Sequence, residues 1–145
     1  MSKEKAKVSV YVLAFNEEDK SVDCLNSVIW ADEGIVIDSH STDKTAEIAE
    51  SLGARVVQVD FKGFGGIRMA GITYTKYDWI LSIDSDERCT ADAQDEILKT
   101  IHSQSTKDAY YIPRKNHFMG KEIRFCGWYP DYRQPQLFRR GKMTY

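Results

Sequence analysis

Four strand-sized apolar runs alternate with four helix-length amphipathic stretches, and this alternation constrains the fold more than any other feature of the chain. The run "KVSVYVLAF" (7–15) is β-branched and aromatic, as a strand requires. The polar turn "NEED" (16–19) then opens a helix with Val22, Leu25, Val28 and Ile29 as its expected apolar stripe. "GIVIDS" (34–39) is a short continuous apolar run, typical of a strand buried on both faces. "STDKTAEIAESLG" (41–53) predicts a capped helix. Ser41, Thr42 and Asp43 offer cap oxygens, Thr45, Ile48, Ala49 and Leu52 form one face, and Gly53 stops it. "ARVVQVD" (54–60) is a third strand. "GFGGIRMAGITYT" (63–75) joins a glycine-rich loop to a helix with the stripe Ile67, Ala70, Gly71 and Tyr74. "DWILSID" (78–84) is the fourth strand, and "TADAQDEILKTIHS" (90–103) a helix with Ala93, Ile97, Leu98 and Ile101 inward.

Crossovers of this length between strands imply an α/β fold with a doubly wound, mainly parallel sheet flanked by helices. After residue 107 the pattern changes. "DAYYIPRKNHFMGKEIRF" and "YRQPQLFRRGKMTY" are strand-like pieces punctuated by Pro113, Gly120, Pro130 and Pro135, expected as a short antiparallel extension on the sheet edge. At 145 residues the chain suits a single domain with its own core. No apolar run reaches the roughly 20 residues that span a bilayer, and "MSKEKAKVSV" carries no apolar signal segment, so a cytoplasmic address is expected. Cys24, Cys89 and Cys126 are odd in number and form no CxxC pair, which argues for reduced thiols rather than disulfides or zinc.

Charge is unevenly spread. Residues 1–106 carry 11 Lys and Arg against 19 Asp and Glu, whereas residues 107–145 carry 9 against 3. The basic third is either a solvated face or a surface that meets something anionic, such as a phosphorylated acceptor or lipid headgroups. Nucleic acid is not expected as a partner, because no basic helix or binding motif is present.

The stretch "DWILSIDSDER" (78–88) ends a buried strand on Asp84, Asp86 and Glu87. In open α/β sheets, ligands bind beyond the carboxyl ends of the strands. Side chains two apart on extended backbone point the same way, so Asp84 and Asp86 are expected to face one spot. Two converging carboxylates repel unless a cation or proton intervenes. Hard oxygen ligands of this kind select Mg²⁺ or Mn²⁺, whose other positions are filled by phosphate and water. A divalent ion gripping a diphosphate belongs to nucleotide-sugar or nucleotide-phosphate chemistry. The residues alone leave a second reading open, in which these Asp residues are a solvated loop before a helix. Asp38 closes another strand, either to accept from a base N–H or ribose hydroxyl or to cap the following helix.

With these residues in hand the chain resembles family 2 glycosyltransferases of the GT-A fold, and among them the lipopolysaccharide inner-core glucosyltransferases. The matching pieces are "LAFNEED" (13–19), "ADEGIVIDSHSTDKTAEIAESLGARV" (31–56), "GFGGIRMAG" (63–71), "DWILSIDSDER" (78–88) and "YYIPRKNHFMGKEIRFCGWYPDYRQPQLFRRGK" (110–142). The resemblance implies inverting transfer from a nucleotide-sugar donor, commonly a UDP-sugar, to a glycan or glycolipid acceptor, with Mg²⁺ or Mn²⁺. It implies that Phe15 and Glu17 flank the donor's base and ribose, Asp38 holds the nucleoside, and Arg68 lies near the donor. Asp84 would contact the ribose–phosphate region and, with Asp86, the metal. Residues 1–106 would form the donor- and metal-binding half, and residues 107–145 part of the acceptor side, with Trp128, Tyr129 and Arg133 among its residues. Peripheral contact with the inner membrane is a further expectation. The candidate general base is Asp131, which is equally a turn residue after Pro130. Trp128 would stack on a sugar face or pack in the core, and Arg133, Arg139 and Arg140 would engage acceptor phosphates or, for the last two, end a solvated strand.

The chain departs from the family pattern in places. Leu13 stands where Pro or Thr is frequent, His40 replaces a usual Gly, Met69 a frequent Asn, and Ser85 a common Ala. Relatives are expected to run on by about a hundred residues, past a His-Glu motif that follows the position of "GKMTY". Two rival readings remain: a binding-only remnant without turnover, and a sugar nucleotidyltransferase. The latter calls for a glycine-rich basic loop where this chain has the acidic "LAFNEED".

Overall fold

The computed structural model describes residues 6–85, 87–103, 109–110, 116–118, 121–123 and 136–141. Strands β1 (Val8–Ala14), β2 (Glu33–Asp38), β3 (Arg55–Gln58) and β4 (Trp79–Asp84) alternate with helices α1 (Glu18–Ser27), α2 (Thr45–Ser51), α3 (Phe64–Tyr74) and α4 (Ala91–His102). Two short strands, β5 (Ala109–Tyr110) and β8 (Leu137–Arg139), complete a six-stranded sheet of order β3-β2-β1-β4-β8-β5. Strands β1 to β4 are mutually parallel, and β8 lies antiparallel between β4 and β5. Strands β6 (Asn116–Phe118) and β7 (Lys121–Ile123) form a separate antiparallel pair. The expected parallel core with an antiparallel extension is therefore what the chain adopts.

Every residue of β1 is buried, so its alternate side chains supply both faces of the sheet. Val8, Val10, Val12 and Ala14 pack with Leu25 of α1, Ala49 of α2 and Ile97 of α4. Tyr11 and Leu13 point the other way, onto Ile67 of α3. Helices thus cover both faces, as a doubly wound sheet demands. Helix α3 comes close because Gly71 has no side chain: a Cβ there would sit 2.3 Å from a ring carbon of Tyr11.

Two expected apolar stripes are corrected. In α1, Val22 is 36% exposed and Ile29 69%. The buried face is instead Ser21, Cys24, Leu25 and Val28, at i, i+3, i+4 and i+7. Small Ser and Cys side chains let the helix approach the sheet, and the helix ends before Ile29. In α3, Tyr74 is exposed and stacks under the Arg55 guanidinium (5.8 Å), while Ile72 turns inward.

The two arginines at the end of β8 make specific contacts within the fold. Arg140 donates to the carbonyls of Ile72 (2.9 Å), Thr75 (2.5 Å) and Tyr77 (3.0 Å) and to the Thr75 hydroxyl (3.0 Å). It satisfies carbonyls that the C-terminus of α3 leaves without helical partners. Arg139 lies 4.6 Å above the Trp79 ring and 3.6 Å from the Asp78 carboxylate. Both arginines fasten β8 to the parallel core.

Candidate active site at the carboxyl edge of the sheet

The β1 register brings the two acidic strand ends together. Leu13 pairs with Asp84 on one side, and Ala14 pairs with Asp38 on the other. The carboxylates bracket the end of β1 but lean to opposite faces, Asp38 with Val36 and Asp84 with Ser82, by strand alternation.

Asp38 is completely buried. Its carboxylate accepts from the Ser41 backbone N–H (3.1 Å), the Ser41 hydroxyl (2.5 Å) and the Gln58 amide (2.9 Å). These bonds shape the β2–α2 loop and do not cap α2, whose N-cap residue is Lys44. That loop is stitched to the β1–α1 loop: Asn16 N–H donates to Ser41 Oγ (2.8 Å), Thr42 N–H to Asn16 Oδ1 (2.8 Å), and Glu17 N–H to Thr45 Oγ1 (3.0 Å). Asp43 accepts from the Thr45 N–H (3.0 Å) and hydroxyl and from the Glu18 N–H (3.2 Å). The Thr45 hydroxyl, foremost among these donors, lowers the Asp43 carboxyl below its ordinary range. Asn16 and His40 both have positive φ (50° and 56°), so His40 adopts the left-handed backbone that a glycine there would favour. His40 is steadied by Gln58 Oε1 (3.1 Å to its N–H) and by Asp60 (2.7 Å to Nε2). Above these knitted loops Phe15 is 57% exposed and Glu17 half-buried, which leaves the Phe15 ring open to a planar ligand.

Asp84 is organised from the other face. Arg68, in the second turn of α3, donates to Ser82 Oγ (3.1 Å) and reaches Asp84 Oδ1 at 3.5 Å. The Asp84 side chain keeps 34% exposure against 15% for Arg68, so the carboxylate is partly offered to the edge. Helix α3 starts there after Gly63 (φ 94°), with no acidic residue in its first turn and no side-chain cap. Its N-terminal N–H groups favour negative charge. Behind Asp84, Glu87 Oε1 accepts from the Asp84 N–H (2.9 Å) and the Glu87 N–H returns to Asp84 O (2.9 Å).

Strand β4 stops at Asp84, and the chain turns at Ser85. Asp86, Trp128, Tyr129, Asp131 and Arg133 lie outside the described residues. Among the described residues no group of three or more His, Cys, Asp or Glu side chains forms a metal cage. One carboxylate at a strand end, beside an anion-favouring helix terminus, fits an ion that takes most of its ligands from phosphate and water. Sequence reasoning missed Ser82 and Gln58. Ser82 was visible as a polar residue two before Asp84 in an otherwise apolar strand, but Gln58 carried no signal. Burial pushes the Cys89 thiol up to about 11, which keeps it protonated at neutral pH.

The family profile described as "Glycosyl transferase family 2" matches residues 9–143. The chain belongs to glycosyltransferase family 2. An uncharacterised glycosyltransferase of Rickettsia bellii is 45% identical over 133 residues, which cover 91% of this chain and 42% of that protein. The chain thus spans about two fifths of the length of curated relatives it matches. Among solved structures, TarS from S. aureus with UDP-GlcNAc aligns with a TM-score of 0.63 at 26% identity, covering 81% of this chain and 36% of TarS. Glucosyl-3-phosphoglycerate synthase of Mycobacterium tuberculosis, solved with Mn²⁺, UDP and glucosyl-3-phosphoglycerate, aligns at 0.52 and 31% identity over 57% of this chain and 36% of that one. The six-stranded sheet with its flanking helices is the GT-A fold of these neighbours.

Proposed function

We propose that this chain carries the donor site of a metal-dependent, inverting glycosyltransferase that moves a hexose from a UDP-sugar to a glycan acceptor of the lipopolysaccharide-core kind. The observation that carries the reading is the convergence at one sheet edge of exposed Phe15, the Asp84–Arg68–Ser82 cluster and the uncapped start of α3. Phe15 stacks on the nucleobase, and Glu17 lies beside the ribose. Asp38, buried under the loop, holds the nucleoside-side backbone in shape. Arg68 and the N–H groups of α3 face the diphosphate. Asp84 meets the ribose–phosphate region.

Asp86, with Asp84, would hold Mg²⁺ or Mn²⁺. Such an ion, when bound, offsets charge on the departing nucleoside diphosphate, an effect worth several kcal/mol, that is about a thousandfold in rate. Arg68 adds fixed positive charge to the same end without reorganising. Asp131 is proposed to take the acceptor hydroxyl's proton as the oxygen attacks the anomeric carbon from the side opposite the leaving group. Trp128, Tyr129 and Arg133 are assigned to the acceptor side, where the basic C-terminal third suits a phosphorylated glycolipid at the cytoplasmic face of the membrane. No helix among the described residues is long and apolar enough to cross a membrane.

The test is a donor panel: UDP-, GDP- and dTDP-sugars with and without Mn²⁺, read by thermal shift and by nucleoside diphosphate release. Mn²⁺-dependent stabilisation by UDP-sugars alone supports the reading. Stabilisation without release or transfer identifies donor binding without turnover, and no stabilisation by any sugar nucleotide refutes the donor site.

A further inference from the structure

We infer that Glu87 is a positioning residue of this site: its carboxylate clamps the end of β4 around Asp84 and is not a third metal ligand. The inference rests on the donor-site reading above for its functional consequence, and on the strand geometry for the clamp itself.

Along a strand, successive N–H groups point alternately to its two neighbours. In β4 the Ser85 N–H bonds Leu13 O of β1 (3.0 Å), and the Ser82 N–H bonds Gln136 O on the β8 side (2.7 Å). The Asp84 N–H, two residues after Ser82, points to the β8 side as well. Among the described residues the β8 ladder ends at the Leu81–Leu137 pair. Glu87 Oε1 accepts from the Asp84 N–H, and the Glu87 N–H closes the loop on Asp84 O. The reciprocal pair does for a strand end what a capping box does for a helix start. Asp84 is then fixed through its backbone by Glu87, while Arg68 fixes its carboxylate from the α3 side. The chain beyond is tied to α1, through Arg88 on Asp23 (3.2 Å) and the Cys89 N–H on Ser27 Oγ (2.9 Å).

A clamp needs an acceptor oxygen at the end of a four-carbon reach. It does not need a charge. Glutamine supplies that oxygen, alanine does not, and a neutral amide is a poor ligand for a hard divalent ion. The experiment therefore compares the full 145-residue chain with Glu87→Gln and Glu87→Ala. Exchange of the Asp84 amide is followed by NMR, Mn²⁺ affinity in the presence of UDP by electron paramagnetic resonance, and folding by the thermal midpoint. In Glu87→Ala the Asp84 amide should exchange about tenfold faster and Mn²⁺–UDP affinity should fall about tenfold, the loss expected for one hydrogen bond to a charged acceptor. In Glu87→Gln both should stay within about threefold of the parent. If Glu87→Gln loses as much Mn²⁺–UDP affinity as Glu87→Ala while its Asp84 amide stays protected, Glu87 is a ligand and the inference is overturned. An Asp84 amide unaffected by Glu87→Ala overturns it too. Should the parent chain bind no Mn²⁺–UDP, the donor-site reading falls, and the amide exchange alone decides the clamp.

Discussion

Replacing Gly71 with alanine tests whether α3 is held where Arg68 can serve the site. The added Cβ would lie 2.3, 2.6 and 2.7 Å from three ring carbons of Tyr11. Carbon atoms prefer about 3.5–4.0 Å, so helix and ring must part by roughly an ångström. Tyr11 is fully buried in the central strand and has no room to yield. Overpacking of this kind costs about 1–3 kcal/mol, and the better helix propensity of alanine returns up to about 1 kcal/mol. A net loss of about 2 kcal/mol is expected, equivalent to a fall in Tm of roughly 6–10 °C for a domain of this size. Urea denaturation of Gly71→Ala, Tyr11→Leu and the double variant measures it. The double variant should show a coupling of at least about 1 kcal/mol, because the smaller side chain makes room. Arg68 sits three residues earlier on the same helix, so lifting α3 lengthens its 3.5 Å reach to Asp84 and should weaken UDP binding. A Gly71→Ala chain as stable as the parent would refute the close packing of α3 on Tyr11.

Arg140→Ala should destabilise the chain by about 2–3 kcal/mol in urea, since four hydrogen bonds to the α3 end are lost together, and Arg140→Lys should recover only part. Asp86→Asn should remove the Mn²⁺-dependent part of UDP-sugar stabilisation in a thermal-shift titration; full retention would refute the metal assignment. The lowered carboxyl of Asp43 stabilises the fold above its unfolded pKa and stops doing so as pH falls through the folded value. Asp43→Asn should therefore flatten the acid limb of the stability–pH profile while changing little of its slope above neutrality.

Much of the fold was legible because burial on both faces leaves a simple trace. Strands such as β2 and β4 are near-continuous apolar runs, and helices between them are long enough only for crossovers. The α1 stripe was misread because helix rotation depends on which residues fit against the sheet. Ser21 and Cys24 go inward by size, a choice hydropathy does not record. Arg139 and Arg140 were read as acceptor-phosphate contacts or a solvated strand end because their partners, Trp79 and the carbonyls at the end of α3, lie sixty or more residues away in sequence. Asp38 and Asp84 were recognised as strand-end carboxylates, but their different states were not visible.

By itself the sequence determined the order of strands and helices, the acidic residues that end β2 and β4, and membership of a glycosyltransferase family, because each is written in local periodicity or contiguous motif. Only the tertiary structure decided that Asp38 is sealed beneath its own loop, that Asp84 shares Arg68 with Ser82, and that Glu87 turns back on the strand it follows. Those outcomes depend on how the loops after β2 and β4 turn back and how closely α3 settles on Tyr11. Such distances arise between segments remote in the chain, and no local pattern encodes them.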